Sequence, residues 1–257
     1  MNDILSKRNS AVFQNGKKQL VAYFPAGYPD GEAFFDVVSD SEASGVTIFE
    51  IGFPALNPSL DGPVIRDALK AVDPSLVRDL AYWRKLRDTV SAPIWVIGYK
   101  EDFVESGAYK ILAREGVADA LVLPDISLEE RRDIAAEVSA QGVDVLGFAN
   151  PDMSIGEMKE CLSSFPIVYY QMYLGVTGMK GTICSYARIL ECAHEYAGTK
   201  LLAGFGIDTP ELALSLLDSG FDGVIIGTAM IERLSDSETD LLSFIRSLSR
   251  VPMERNG

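Results

Sequence analysis

Histidine is almost absent from this chain, since His194 is the only one among 257 residues. Sites that need two or more imidazole ligands, such as zinc hydrolase centres and facial-triad iron centres, are therefore excluded. The polar segment around His194, residues 191–196, predicts a surface position for this side chain rather than a ligand role. No metal site is predicted.

Cysteine is scarce too, with Cys161, Cys184 and Cys192 and no C-x-x-C spacing. Scattered thiols in odd number are typical of a reducing compartment and of small buried side chains. The N-terminal segment carries spread charges and no apolar run long enough for a signal peptide. We therefore expect a cytoplasmic protein.

Long apolar runs and basic charge are also lacking. The longest uncharged stretch, residues 165–179, is shorter than the ~20 apolar residues of a membrane span. The chain has 23 Lys and Arg against 37 Asp and Glu, which gives a formal net charge of −14. Such a surface repels nucleic-acid phosphates, so neither a membrane nor a nucleic acid is an expected partner. No linker-like segment interrupts the chain, and a single domain over residues 1–257 is predicted.

What the chain does have is an alternation of short apolar runs and longer amphipathic segments, which is typical of βα units around a parallel sheet. Eight strands are predicted, over residues 19–24, 47–51, 94–98, 120–123, 144–149, 167–172, 200–203 and 223–226. Helices are predicted over residues 30–44, 74–90, 127–140, 154–163, 185–197 and 209–219. Eight parallel strands in this order predict a single (β/α)8 TIM barrel, for which about 250 residues is a usual length.

Several helix ends are readable from the residue types. Ser127 and Thr209 are predicted N-caps, and Pro210 stands at the first helical position. A loose repeat places a glycine before four of the apolar strands. Left-handed helix ends are therefore predicted at Gly45, Gly116, Gly142 and Gly220.

Two carboxylic acids stand out, because functional residues of a barrel lie at the carboxyl ends of its strands. Glu50 lies in the apolar run TIFEIGFP near the end of the second strand, where burial would raise the pKa of its carboxyl group. Asp61 follows in the turn-rich loop PALNPSLDGP, so both carboxyl groups are predicted to face one pocket. An outward Glu50 in an ion pair and an ordinary turn role for Asp61 are the alternatives.

Three glycine clusters follow the last three strands: LGVTGMKG, GFGIDTP and IIGTAMIE. Backbone N–H groups in such loops and at a helix N-terminus can hold a phosphate without Lys or Arg. For each glycine taken singly, a simple turn is the alternative. The aromatic residues at predicted strand ends are consistent with a slot for a flat ligand portion, or with core packing. They are Tyr23, Tyr99, Tyr169 and Phe205.

In their order and spacing, these motifs resemble the tryptophan synthase alpha chain family over most of the chain. They are LVAYFPAGYPD, FEIGFP with LDGP, VLPDIS, YYQMYLGVTG, GFGIDTPE and DGVIIGTAMI. The resemblance implies a (β/α)8 barrel that cleaves indole-3-glycerol phosphate to indole and glyceraldehyde 3-phosphate in a retro-aldol reaction, without a cofactor. It also implies a partner, the pyridoxal-phosphate-dependent beta chain, which receives the indole.

The resemblance also assigns residues. Glu50 matches the catalytic glutamate, which moves protons at the indole C3 and the glycerol hydroxyl, and Asp61 matches the catalytic aspartate, which interacts with the indole N–H. Aromatic residues beside the substrate match Tyr169 and Phe205, and the threonine of the mobile loop matches Thr177. The backbone that binds phosphate matches Gly178, Gly206, Gly227 and Thr228.

Two loops depart from the family pattern. Residues 55–60 read ALNPSL where the family has Ser-Asp-Pro-Leu-Ala, in a loop that contacts the beta chain. Met172 and Tyr173 replace a Ser-Arg pair whose arginine helps to order the loop after the sixth strand. We expect a carbon–carbon lyase with weak coupling to a beta chain. The alternatives are a weakly catalytic partner subunit of such a chain, and a standalone barrel lyase acting on a related phosphate ligand.

Overall fold

The computed structural model describes residues 3–58, 61–172 and 186–249, and within these ranges nine parallel strands form one sheet. The strands are β1 (Gln19–Pro25), β2 (Ile48–Gly52), β3 (Ile94–Ile97), β4 (Ala120–Val122), β5 (Asp144–Val145), β6 (Gly147–Ala149), β7 (Ile167–Gln171), β8 (Lys200–Gly204) and β9 (Gly223–Ile226). β1 and β2 are buried along their whole length, which is why their sequences are continuous apolar runs rather than alternating ones.

The sheet closes into a barrel through the fifth predicted strand. Residues 144–149 form two short strands rather than one, because the chain changes neighbours at Leu146. β5 pairs with β4, β6 pairs with β7, and the Leu146 N–H donates to the Leu121 carbonyl at 3.0 Å. Strands in a closed barrel are staggered, so one strand can bond to different neighbours along its length. The TIM-barrel prediction is confirmed, with its fifth strand corrected to two segments.

Helices surround the sheet in the described ranges. They are α1 (Lys7–Val12), α2 (Ala33–Ser44), α3 (Pro63–Ala71), α4 (Leu80–Thr89), α5 (Ala108–Arg114), α6 (Leu128–Val138), α7 (Ile155–Ser164), α8 (Ala187–Ala193), α9 (Pro210–Ser219), α10 (Thr228–Asp236) and α11 (Glu238–Ser249). Among these, α1, α3, α5, α10 and α11 were not predicted from the sequence. Four of them, α1, α3, α5 and α10, span only six to nine residues, too few for a clear helical period.

The predicted helix over residues 74–90 is wrong in one respect, because it is two elements. A 3₁₀ turn (Pro74–Arg78) comes first, and its cap, Asp73, accepts a hydrogen bond from the Ser75 N–H. Asp79 then caps α4 by accepting from the Ala81 and Tyr82 N–H groups. A second capping aspartate restarts the helix and so divides the segment.

The predicted caps at Ser127 and Thr209 are confirmed. Ser127 accepts from the Glu130 N–H in a capping box, and Thr209 accepts from the Leu212 N–H. All four predicted glycines before strands have positive φ, with Gly116 at 67° and Gly142 at 70°. These ends turn the chain from each helix back into the sheet.

The amino ends of the strands are filled by the N-terminal segment. Val21, Ile48 and Ile225 pack inside the barrel with Phe13, which follows α1. Asn9 on α1 accepts a hydrogen bond from the Trp95 Nε1–H at 2.8 Å and donates to Asp144 Oδ2 at 2.8 Å. This packing leaves the carboxyl ends of the strands as the open end of the barrel.

The structure also tests the predictions for the cysteines, for His194 and for membrane-spanning segments. Cys161 and Cys192 are buried and unbridged, and His194 is exposed, as the sequence predicted. Cys184 lies outside the described residues. None of the helices in the described ranges combines the length and apolarity that crossing a membrane requires.

Candidate active site

Glu50 is the central carboxyl group at the open end. It is the third residue of β2, and it points the same way as Ile48, whose side chain lies in the barrel interior. Its Cα partners on the adjacent strands are Tyr23 of β1 and Trp95 of β3. Only 2% of Glu50 is exposed. The inward position predicted from the apolar run is confirmed by this burial, and no ion pair of Glu50 is observed among the residues that the structure describes.

The surroundings of Glu50 favour its protonated form. Burial, and then the negative charge of Asp61, raise the pKa of the Glu50 carboxyl group to about 8. Within the described part of the chain, its buried Oε1 has no hydrogen-bond partner. A buried acid of this kind holds a proton near neutral pH and has an oxygen available for a ligand.

Asp61 lies in the loop between β2 and α3, just before the Gly62 cap of α3. The hydroxyl of Tyr99, which lies two residues after β3, donates to Asp61 Oδ2 at 2.7 Å. Asp61 therefore has a hydrogen-bond donor, whereas Glu50 has none at its Oε1. The two carboxyl groups share one site, and their different environments suit different roles.

The loop before Asp61 is tied to the loop after β3. The Leu56 N–H donates to Asp102 Oδ2 at 3.2 Å, and Asp102 lies in a π-helical turn (Lys100–Val104). Beneath these loops the rings of Phe53 and Phe103 are 4.8 Å apart. With the bond from Tyr99 to Asp61, these contacts hold one loop against the other. The sequence did not predict this tether, since no local pattern reports a bond across 46 residues.

Aromatic side chains form the inner wall of the site. The ring of Tyr169 stacks on Phe148 at 5.0 Å and meets the edge of Phe205 at 5.9 Å. Burial, and then the charges of Glu50 and Asp61, raise the pKa of Tyr169 well above its ordinary value. Tyr23 and Tyr99 are buried close to the same two carboxyl groups. The four predicted aromatic residues are thus brought together, and Phe148 is a member that the sequence did not single out.

Three of the residues predicted to bind phosphate lie just after β8 and β9, which are neighbouring strands. Phe205 and Gly206 have φ of 74° and 70°, and Phe205 is the one non-glycine residue with positive φ in the described ranges. Gly227 precedes α10, and Thr228 is its first residue. The first N–H groups of a helix have no partner inside it and attract anions. Thr177 and Gly178 lie outside the described residues.

The described residues contain no group of three or more His, Cys, Asp or Glu side chains that could hold a metal ion. The described groups at the barrel mouth are two carboxyl groups, three phenols and backbone N–H groups.

Comparisons with known proteins agree with this architecture. The model of the family described as "Tryptophan synthase alpha chain" matches residues 10–253. The tryptophan synthase alpha chain of Thermoanaerobacter pseudethanolicus is 28% identical over 261 residues, covering 97% of this chain and 98% of that protein. That of Nitratidesulfovibrio vulgaris is 30% identical over 253 residues, covering 95% and 96%. A structure of Mycobacterium tuberculosis tryptophan synthase superposes with a TM-score of 0.81 at 22% identity over the full length of both chains, which shows the fold.

Replacing Glu50 with Gln tests the raised pKa directly. Between pH 4.5 and about 8 the folded chain keeps a proton at Glu50 that the unfolded chain has lost, so the free energy of unfolding falls as pH rises through this window. We expect Glu50→Gln to stabilise the protein by roughly 2 to 5 kcal/mol at pH 8 and above, with the gain shrinking towards pH 4.5. Urea unfolding across this range measures it.

Glu191→Gln is the matched control, because Glu191 is exposed on α8. It should change the unfolding free energy by less than about 0.5 kcal/mol at every pH. Equal stability of wild type and Glu50→Gln at pH 8 would contradict the raised pKa.

Proposed function

Because the chain belongs to the tryptophan synthase alpha chain family, which cleaves indole-3-glycerol phosphate to indole and glyceraldehyde 3-phosphate, we propose that Glu50 and Asp61 carry out this cleavage here. The observation that carries the assignment is the burial of Glu50, with its pKa raised to about 8, beside an Asp61 that accepts a hydrogen bond from Tyr99. The family match covers both residues.

The proposed reaction moves one proton out of Glu50 and one back. Protonated Glu50 donates to C3 of the indole ring, which leaves positive charge on the ring nitrogen. The Asp61 carboxylate accepts the N–H hydrogen bond and stabilises that charge. The Glu50 carboxylate then takes the proton of the C1′ hydroxyl, the C1′ carbonyl forms, and the C3–C1′ bond breaks with its electrons returning to the ring. Indole and glyceraldehyde 3-phosphate result, and Glu50 is protonated again.

The phosphate and the indole ring of the substrate each have a proposed binding site. Backbone N–H groups at Gly206, Gly227 and Thr228 form the proposed phosphate site, with Gly178 as a further member from the sequence. Neutral amides let a chain with a net charge of −14 bind a dianion without a basic cluster. The rings of Tyr169 and Phe205 line the proposed indole slot. A cytoplasmic location stays a prediction from the sequence.

Removing either acid should abolish the reaction. We expect Glu50→Gln and Asp61→Asn each to lower kcat for indole release by roughly 10²-fold or more, because each variant keeps the side-chain shape and loses the proton transfer or the charge. Indole release from indole-3-glycerol phosphate measures this. The control is Asp67→Asn, which changes an exposed carboxylate on α3 and should leave kcat within twofold. Near-normal turnover in either site variant would refute the assignment.

The proposed mechanism predicts the direction in which kcat/KM changes with pH. Since protonated Glu50 begins the reaction, kcat/KM should fall as pH rises through about 8, the pKa of its carboxyl group in the free protein. A profile of kcat/KM from pH 6 to 10 measures this. A rate that instead increases through about pH 8 would make Glu50 the initial base and would reverse the proposed order of proton transfers.

A beta chain is the proposed partner, and coupling to it should be weak. The resemblance places the loop after β2 at the contact with the beta chain. In this loop Leu56 is 85% exposed, and the sequence of residues 55–60 differs from the family pattern. Activation requires a partner that binds the active form better than the inactive one. Titrating an ordinary tryptophan synthase beta chain into the cleavage assay should raise the rate less than tenfold. A tenfold rise would mean that about 1.4 kcal/mol of coupling survives.

A further inference from the structure

The side chain of Tyr23 spans the site between its two proposed ends. Tyr23 lies on β1 with Glu50 as its Cα partner on β2, and it is only 6% exposed. A Cβ built at Gly227 would lie 3.5 Å from Tyr23 Cδ1, so the ring packs beside the start of α10. At the other end, a Cβ at Gly52 would overlap the Tyr23 hydroxyl. The ring therefore begins at the proposed phosphate site and its hydroxyl ends beside the carboxyl groups.

The hydroxyl of Tyr23 is neutral and can donate a hydrogen bond to a ligand. Burial, followed by the negative charges of Asp61 and Glu50, raises its pKa well above the ordinary value, so it keeps its proton. Its interactions with these carboxyl groups are electrostatic, and no residue in the described ranges forms a hydrogen bond with it. A phenol that is buried in this way gains from a ligand oxygen with which it can form a hydrogen bond.

The substrate carries an oxygen at the matching place. In the reaction proposed above, the C1′ hydroxyl gives its proton to Glu50, and the phosphate on C3′ binds near Gly227. The C2′ hydroxyl lies between these two groups along the chain, as Tyr23 lies between Glu50 and Gly227. We propose that the Tyr23 hydroxyl binds the C2′ hydroxyl of the substrate, which makes Tyr23 a specificity-determining residue for a hydroxylated three-carbon chain. This inference rests on the proposed function.

A double-mutant cycle between protein and substrate tests the contact. One axis is wild type against Tyr23→Phe, and the other is indole-3-glycerol phosphate against its 2′-deoxy analogue, which keeps the cleavable C1′ hydroxyl. Tyr23→Phe should lower kcat/KM for the natural substrate about tenfold, since one buried hydrogen bond is lost. For the 2′-deoxy analogue the two proteins should agree within twofold, because the partner of Tyr23 is already absent.

Tyr109→Phe is the matched control, because its hydroxyl donates to Glu137 in the helical layer, outside the barrel. It should leave kcat/KM unchanged for both compounds. An equal loss of kcat/KM for both substrates in Tyr23→Phe would show a structural effect and would overturn the proposed contact. No loss for either substrate would overturn it too. In both cases, cleavage by the wild-type chain would leave the proposed function intact. A wild-type chain that releases no indole from indole-3-glycerol phosphate would overturn both proposals.

Discussion

Closure of a parallel sheet is the constraint on which the rest of this structure depends. All strands run in the same direction, so their carboxyl ends meet at one opening and their amino ends at the other. The change of neighbours at Leu146 removes the free edges that the sheet would otherwise have. With no edge and a packed interior, the strands can place inward-facing polar side chains only near the two openings.

Carboxyl groups at the two openings differ in their hydrogen bonding. At the amino end, Asp119 accepts hydrogen bonds from the Ser6 hydroxyl at 2.7 Å, from Arg87 Nη1 at 2.9 Å and from the Ile94 N–H at 3.0 Å. At the carboxyl end, Glu50 is buried with its Oε1 unbonded within the described residues. The first arrangement stabilises the fold, and the second lowers its stability as pH rises from 4.5 to the raised pKa of Glu50, about 8. A barrel with a well-bonded closed end can tolerate such a cost at the end where chemistry is proposed.

Sequence reasoning succeeded where a local pattern reflects burial. Strand runs such as residues 223–226 are continuous because both faces are covered, and Glu50 stood out as a charge within such a run. The break at Leu146 has no local pattern, because it follows from the stagger of the whole barrel. The bond from Tyr99 to Asp61 joins residues 38 positions apart, and it depends on how two loops fold against each other. Asp61 itself was found through its place after β2 and through the family resemblance.

The two proposed acids are held by different means, and this bears on the role of a partner. Glu50 is fixed by the sheet, with bonded strands on both sides of it. Asp61 is fixed by loops, through Tyr99 and through the bond of the Leu56 N–H to Asp102. These tethers lie within the chain, and the Leu56 bond is made by the backbone, so it is independent of the side chains by which residues 55–60 depart from the family. The loop can therefore change the outer surface that a partner would meet, while its inner attachment keeps Asp61 beside Glu50.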